Sequence, residues 1–283
     1  MKLFFLCLLA LSCGTEPTPK PRPMPIPRPI PKPKPKPTPK PTPEPVVESC
    51  VLEGADLMRD GGYQVRQRKV GKISVYEPVV SGCKMPVYHH GNGTGAFTGF
   101  YRTQMKRMSS HGYLAVSYET TQSGSGKGAL EATDWALARN DTLPLVVSAG
   151  HSQGGQCAAS LHFLLEQKYG DSIKVASVGE QPAFGMSRYS YAREIPQLKG
   201  ATFLIHGTRD TTVPASWVRR GARLYKNDVT WYAAEGATHM NVQPFAATGG
   251  LAFGNCKLLE HKDACEFFEV VMPNSREWTK VRM

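Results

Sequence analysis

Residues 143–169 read LPLVVSAGHSQGGQCAASLHFLLEQKY, and this stretch decides the fold. Leu143–Ser148 is a short apolar run of the kind that forms a strand buried on both faces. From Gly154 to Tyr169, small and apolar residues recur at helical spacing, which predicts a helix. Between the two stands Gly150-His151-Ser152-Gln153-Gly154, a G-x-S-x-G pentapeptide. Alone, that pattern is weak. Between a strand and a helix it acquires a steric meaning. A sharp, strained turn lifts the serine hydroxyl off the end of the sheet, and the residues two before and two after it come too close to carry side chains. Gly150 and Gly154 meet that demand, and Gly155 and Ala158 let the helix lie against the sheet. The competing reading is a glycine-rich turn with a surface serine.

A serine hydroxyl is a weak nucleophile and needs a base, which in turn needs an orienting partner. After a turn of this type the partners follow in the order acid, then histidine. Asp210 ends the run His206-Gly207-Thr208-Arg209-Asp210, just past the apolar strand Ala201–Ile205. His239 ends Gly236-Ala237-Thr238-His239, past the strand Val229–Tyr232. Both fall where a parallel sheet delivers its loops at the carboxyl edge, the edge at which ligands bind. The other candidates compare poorly. Asp134 falls on a helix, and Asp171 and Asp228 precede strands, at the wrong edge. His206 precedes the acid and reads as structural, and His261 lies in a polar C-terminal stretch. His151 adjoins the nucleophile and is expected to line the site.

Charge developing on a carbonyl oxygen needs hydrogen-bond donors. One is expected to be the backbone N–H of Gln153. The other should come from His89-His90-Gly91-Asn92-Gly93-Thr94-Gly95, after the strand that begins at Met85. The N–H of Asn92 is the first choice there and that of Gly93 the alternative. The paired histidines invite a metal reading, but no HExxH pattern or spaced carboxylate accompanies them, so neither metal nor cofactor is expected.

The rest of the chain extends the same architecture. Tyr63–Val70 and Ile73–Val80 read as two early strands, a hairpin turning at Gly71. Further strands are expected at Met85–His89, Tyr113–Tyr118 and Ile173–Val178, and helices at Phe100–Ser110, Ala129–Arg139 and Val218–Tyr225. Alternating strands and helices imply an α/β fold, a mostly parallel central sheet with helices on both faces. Only about twenty residues separate the strands Ile173–Val178 and Ala201–Ile205, which leaves little or no room for a lid domain.

These motifs, in this order, resemble the bacterial cutinase, poly(ethylene terephthalate) hydrolase and dienelactone-hydrolase-like branch of the α/β-hydrolases. The likeness runs through Val87–Gly95, Ser110–Tyr113, Gly150–Gly155, Gly207–Asp210 and Gly236–His239, most of Met85 to Met240. It implies a serine esterase with Ser152, Asp210 and His239 as catalytic triad and Asn92 and Gln153 as oxyanion donors. It also implies a C-terminal Cys256–Cys265 disulfide and an aromatic near Phe184 that clamps the substrate, with Phe184, Tyr189 and Tyr191 as candidates. Pro182–Leu198 and the doubled histidine depart from that pattern, so the substrate is left open.

The N-terminus has another character. MKLFFLCLLALSC carries Lys2 and then the uncharged apolar run Leu3–Leu11, too short to span a bilayer. Residues 1–12 therefore read as a signal peptide. Ala10-Leu11-Ser12-Cys13 resembles a lipobox, with Leu11 the departure, so Cys13 is expected to be lipidated; an ordinary signal peptide is the alternative. From Pro17 to Pro45 every odd residue is proline, and the even positions include seven lysines and arginines. Such a repeat can form neither helix nor sheet. As polyproline II it extends at about 3.1 Å per residue, roughly 90 Å in all. Residues 13–49 thus read as an extended tether, and 50–283 as the catalytic domain. The tether serves as a solvated spacer or, in the sharper reading, as a basic arm for an anionic cell-wall surface.

The net charge of +11 is otherwise spread along the chain, and no nucleic-acid-binding motif appears, which argues against a nucleic-acid partner. An exported chain permits disulfides. Cys256 and Cys265 are close in sequence and form one candidate pair; Cys50 and Cys83 flank the first strands and form another. Cys157 is left over as a buried core thiol. The expected protein is thus an envelope lipoprotein, periplasmic or surface-exposed, or else a secreted protein. It is expected to be a monomer that cleaves carboxylic esters, polymeric ones included. The alternatives are an amidase or peptidase, an acyltransferase, or a non-catalytic envelope-binding protein.

Overall fold

The computed structural model describes residues 48–185 and 191–282. The expected signal peptide, Cys13 and the Pro/Lys tether up to residue 47 lie outside the described residues, as does Tyr189. The described residues begin at Glu48, next to the expected boundary at Cys50. Lys84 donates its N–H to the Glu48 carbonyl at 3.0 Å, Cys50 donates to the Lys84 carbonyl at 2.9 Å, and Ser49 bridges to Lys84.

Among the described residues nine strands form one sheet: β1 Val65–Val70, β2 Ile73–Pro78, β3 Met85–Gly91, β4 Leu114–Tyr118, β5 Thr142–His151, β6 Lys174–Glu180, β7 Thr202–Gly207, β8 Val229–Ala234 and β9 Trp278–Lys280. Their order is β1-β2-β4-β3-β5-β6-β7-β8-β9. From β4 through β8 all pairs are parallel, while β1–β2, β2–β4 and β8–β9 are antiparallel. The helices are α1 Arg102–Ser110, α2 Lys127–Leu137, α3 Gln153–Tyr169, α4 Tyr191–Glu194, α5 Ala215–Ala222, α6 Gln243–Leu259 and α7 Lys262–Glu266.

Successive strand residues face opposite sides, so each parallel strand supplies two cores. Tyr88, Val147, Ala176, Phe203 and Tyr232 join Met105 and Met108 of α1 and Leu251 and Phe253 of α6 on one face. On the other face, Val87, Val146 and Val175 meet Ala132 and Ala136 of α2 and Leu161 and Leu165 of α3. Leu204 and Trp231 extend that face toward Val218 of α5 and Tyr191 of α4. The mostly parallel sheet covered by helices on both faces is therefore present. Phe184, Tyr191, Ile195 and Leu198 go into the core.

Helices α4, α6 and α7 and strand β9 are elements that the sequence reading does not anticipate, and for two of them the reason is plain. Helix α6 buries residues on every side, including Gly249 beside Phe203 and Gly254 beside Val147 and Tyr113. A helix that is buried all round carries no amphipathic stripe. Strand β9 is three residues long and holds its place by pairing with β8.

Both disulfides are formed, Cys50–Cys83 and Cys256–Cys265. Cys157 is a buried free thiol. Burial pushes its pKa up to about 12, so it is a core residue and not a nucleophile.

Candidate active site

Strand order reverses at β3, whose neighbours are β4 and β5. The crevice outside its carboxyl end and that of β5 is the place where such sheets bind ligands. Gly91 of β3 pairs with Gly150 of β5 there. Ser152 follows directly, at φ 58° and ψ −116°, one of the few non-glycine residues in the left-handed region. Its N–H donates to the Glu180 carbonyl at 2.8 Å, and its carbonyl accepts from Gly155 and Ala183 at 2.9 and 3.0 Å. Those three bonds hold the strained backbone. A Cβ on Gly150 would stand 2.2 Å from the Gly154 carbonyl oxygen, and one on Gly154 would stand 1.9 Å from the Gly91 carbonyl oxygen. The steric reading of G-x-S-x-G therefore holds in detail.

Asp210 and His239 arrive from the loops after β7 and β8. The His239 Nδ1–H donates to Asp210 Oδ2 at 2.8 Å, and the Asp210 side chain is fully buried. Asp210 Oδ1 accepts from the Thr212 and Val213 N–H groups at 2.8 and 3.0 Å. Burial acts to raise the Asp210 pKa. The His239 hydrogen bond and the two N–H groups outweigh it and hold the carboxyl below its ordinary value. A second acceptor, Gln181 Oε1, lies 2.9 Å from the same Nδ1. Among the described residues no hydrogen bond joins Ser152 Oγ to His239 Nε2, although both side chains line one cavity of about 560 Å³.

His151 lines the cavity as expected, and it also ties the two halves of the site together. Gly93 N–H donates to the Tyr101 hydroxyl at 3.0 Å, which lies 3.1 Å from His151 Nδ1; His151 Nε2 lies 2.8 Å from the His239 carbonyl. Carbonyls only accept, so His151 carries its proton on Nε2 and Tyr101 donates to Nδ1. Burial, with the neighbouring His239 charge second, pushes the His151 pKa down to about 4. That keeps the ring neutral at pH 7.

Asn92 and Phe184 are not among the residues lining the cavity. Asn92 is fully buried and does not line the cavity. Its carboxamide donates to the Tyr118 and Thr120 carbonyls, both at 3.3 Å, and its own carbonyl accepts from Ser123 Oγ. A residue gripped on all sides by the β4–α2 connection braces the loop; Gly93, Thr94 and Gly95 are the residues that reach the cavity. Gln153 opens α3, where the first N–H groups of a helix have no intrahelical acceptor. Its side-chain Oε1 accepts from Ser123 N–H at 3.1 Å, anchoring the same connection. Phe184 is 0 % exposed and packed on Tyr191 and Tyr225 in the core. The cavity's aromatic wall comes instead from Trp217 of α5, with Phe100 and Tyr101 also lining it. Nothing in the sequence pattern singled out Gln181, Tyr101 or Trp217, because none of them belongs to a local motif.

His90 and His89 point to opposite faces of β3. His90 stacks on Tyr101, with ring centroids 4.4 Å apart, whereas His89 lies in a small cavity with Cys157 and Ser123. Adjacent residues on opposite faces cannot chelate one ion between them. Asp134 pairs with Lys168 at 2.6 Å, Asp228 with Lys257 at 3.4 Å, and His206 Nε2 lies 3.1 Å from the Val213 carbonyl. These are structural placements.

No protein-family model matches the chain, and no curated protein matches its sequence.

Proposed function

We propose that the domain is an α/β-hydrolase-type serine esterase that cleaves carboxylic esters through an acyl-enzyme on Ser152. The observation that carries this reading is the strained Ser152, held at a sheet edge in the same cavity as a histidine whose Nδ1–H is bound to a buried carboxylate. Strain at a non-glycine residue persists only where the surroundings enforce it, and it concentrates at functional sites. The chain order Ser, Asp, His agrees with this class of nucleophile turn.

In this mechanism His239 Nε2 takes the Ser152 proton as Oγ attacks the ester carbonyl. Asp210 fixes the tautomer that leaves Nε2 free to accept, and it stabilises the imidazolium that forms. The oxyanion is met by the N–H of Gln153 and by a second backbone N–H from the loop after β3, where the Gly93 N–H is already bound to Tyr101. His239 then returns the proton to the leaving alcohol. Water, deprotonated by the same histidine, releases the acid and regenerates Ser152.

The cavity wall and rim are largely apolar. Phe100 and Met240, 51 % and 52 % exposed, stand at its mouth, and Phe97 packs on Phe100 with ring centroids 4.7 Å apart. An open, apolar mouth favours hydrophobic esters and leaves room for bulky or polymeric ones. The two disulfides suit an oxidising compartment. With them, residues 1–12 are read as an export signal and Cys13 as a lipid anchor to an envelope membrane. The proline tether would then space a monomeric enzyme from that membrane.

A panel of p-nitrophenyl esters beside matched anilides, with Ser152→Ala as control, tests the proposal. Ester turnover that rises with acyl hydrophobicity and vanishes in Ser152→Ala is expected. Faster anilide cleavage would favour a peptidase or amidase, and turnover that persists in Ser152→Ala would sink the assignment.

A further inference from the structure

We propose that Gln181 is a second positioning residue for the His239 imidazole, sharing its Nδ1–H with Asp210; this rests on reading His239 as the base. Four observations converge on it. Gln181 Oε1 lies 2.9 Å from His239 Nδ1, beside Asp210 Oδ2 at 2.8 Å. Gln181 Nε2 donates to the Thr238 carbonyl at 2.7 Å, which fixes the amide so that its oxygen, not its nitrogen, faces the ring. The residue is fully buried and held at φ 46°, a conformation rarely adopted by side-chain-bearing residues, and its N–H is bound to the Ile205 carbonyl at 2.7 Å. Finally, Gly207, at the end of β7, packs against the Ala237 carbonyl and, more loosely, against Gln181 Nε2; an added Cβ would stand 2.3 and 3.0 Å from them.

The amide therefore does two things. Its oxygen holds the Nδ1–H tautomer together with Asp210, and its N–H ties the ring's position to the chain just before His239. Three elements face the imidazole: Asp210 from the loop after β7, Gln181 after β6, and the His151 ring at the end of β5, with centroids 4.5 Å apart. Because Gln and Glu have the same shape, Gln181→Glu would set a carboxylate oxygen where Oε1 now stands.

The test uses the full chain labelled with ¹⁵N-histidine, with Gln181→Leu, Gln181→Glu, Asp210→Ala and the two double variants at these positions. In the spectra, His239 keeps Nδ1–H in Asp210→Ala and loses it when Gln181→Leu is added; its retention in that double variant would overturn the proposal. In kinetics, Gln181→Leu lowers kcat about fivefold at unchanged KM, the scale of one hydrogen bond. Gln181→Glu moves the acid limb of kcat/KM to higher pH by about one unit, because an added negative charge favours the imidazolium. Gln181→Glu also restores at least about tenfold of the rate lost in Asp210→Ala, as a carboxylate acceptor on Nδ1 should. An unmoved pH profile together with no rescue would overturn the proposal even if the variants fold. Failure of the esterase reading shows separately, as no Ser152-dependent turnover in the parent chain, while the spectra still report what holds Nδ1–H.

Discussion

The nucleophile turn and the acid–base corner meet in one cavity, yet they are built by opposite means. The turn is local. Between Gly150 and Gly155 the backbone is forced by contact distances that no side chain could survive. The corner is assembled from afar: Gln181, Asp210 and His239 come from three different strand ends and meet through directed hydrogen bonds. Sterics, within the turn and against Gly91 and Pro182 beside it, give a rigid element that tolerates almost no substitution. Hydrogen bonds across long loops give an element that can lose a partner and keep its fold. The Tyr101–His151 relay joins the two, since it runs from the Gly93 N–H to the His239 carbonyl.

If this contrast is right, substitutions in the corner should reduce activity and those in the turn should reduce stability. The largest effect is expected for Asp210→Ala, a kcat loss of about 10⁴-fold, scaled from a triad carboxylate elsewhere. Its urea midpoint should change little, and a collapsed fold would break the contrast. Next comes Gly154→Ala. Its new Cβ would stand 1.9 Å from the Gly91 oxygen, so the fold should lose about 4 kcal/mol or fail to form. A stable Gly154→Ala protein, measured by chemical denaturation, would contradict the steric account of the turn.

Acidification tests the relay and its neighbours. Burial pushes His151 down to about 4 and His89 down to about 3. The unfolded chain takes up protons near pH 6.5 that the folded protein refuses. Stability is therefore complete above about pH 6.5 and falls as pH drops toward 4, by at most about 1.4 kcal/mol per pH unit for each histidine. Melting curves between pH 7 and 4 should show this decline, and a flat profile down to pH 5 would mean that these rings find protonated states in the fold. The smallest effect is expected for Tyr101→Phe, which leaves His151 Nδ1 and the Gly93 N–H without their partner. It should cost about 1–2 kcal/mol of stability, read by the same denaturation, and lower kcat modestly.

The same contrast explains what could be read in the sequence. The turn was legible because its signal lies within five residues and its cause is steric. Asp210 and His239 were legible because each follows a strand in the order such a site requires. Gln181 was not, since a left-handed glutamine after a strand has no composition of its own. The Asn92 backbone N–H reads as a loop donor because glycines flank it, whereas the bonds its side-chain carboxamide makes to the Tyr118 and Thr120 carbonyls are set by tertiary packing and carry no local signal. Phe184 is a clamp candidate only through the resemblance, whereas Gly221 of α5 stands close enough for the ring to fill the core beneath it. Helix α6 escaped for the converse reason: burial on all sides erases the periodicity that announces a helix.

The account stands on Ser152 being an activated nucleophile, and covalent labelling tests that most directly. The full chain would be treated with a fluorophosphonate probe and mapped by peptide mass spectrometry beside Ser152→Ala and Asp210→Ala. One label per chain is predicted, on Ser152, slowed in Asp210→Ala and absent from Ser152→Ala. A well-folded protein that takes no label, or takes it elsewhere, would contradict the hydrolase reading and favour a binding protein built on the same sheet.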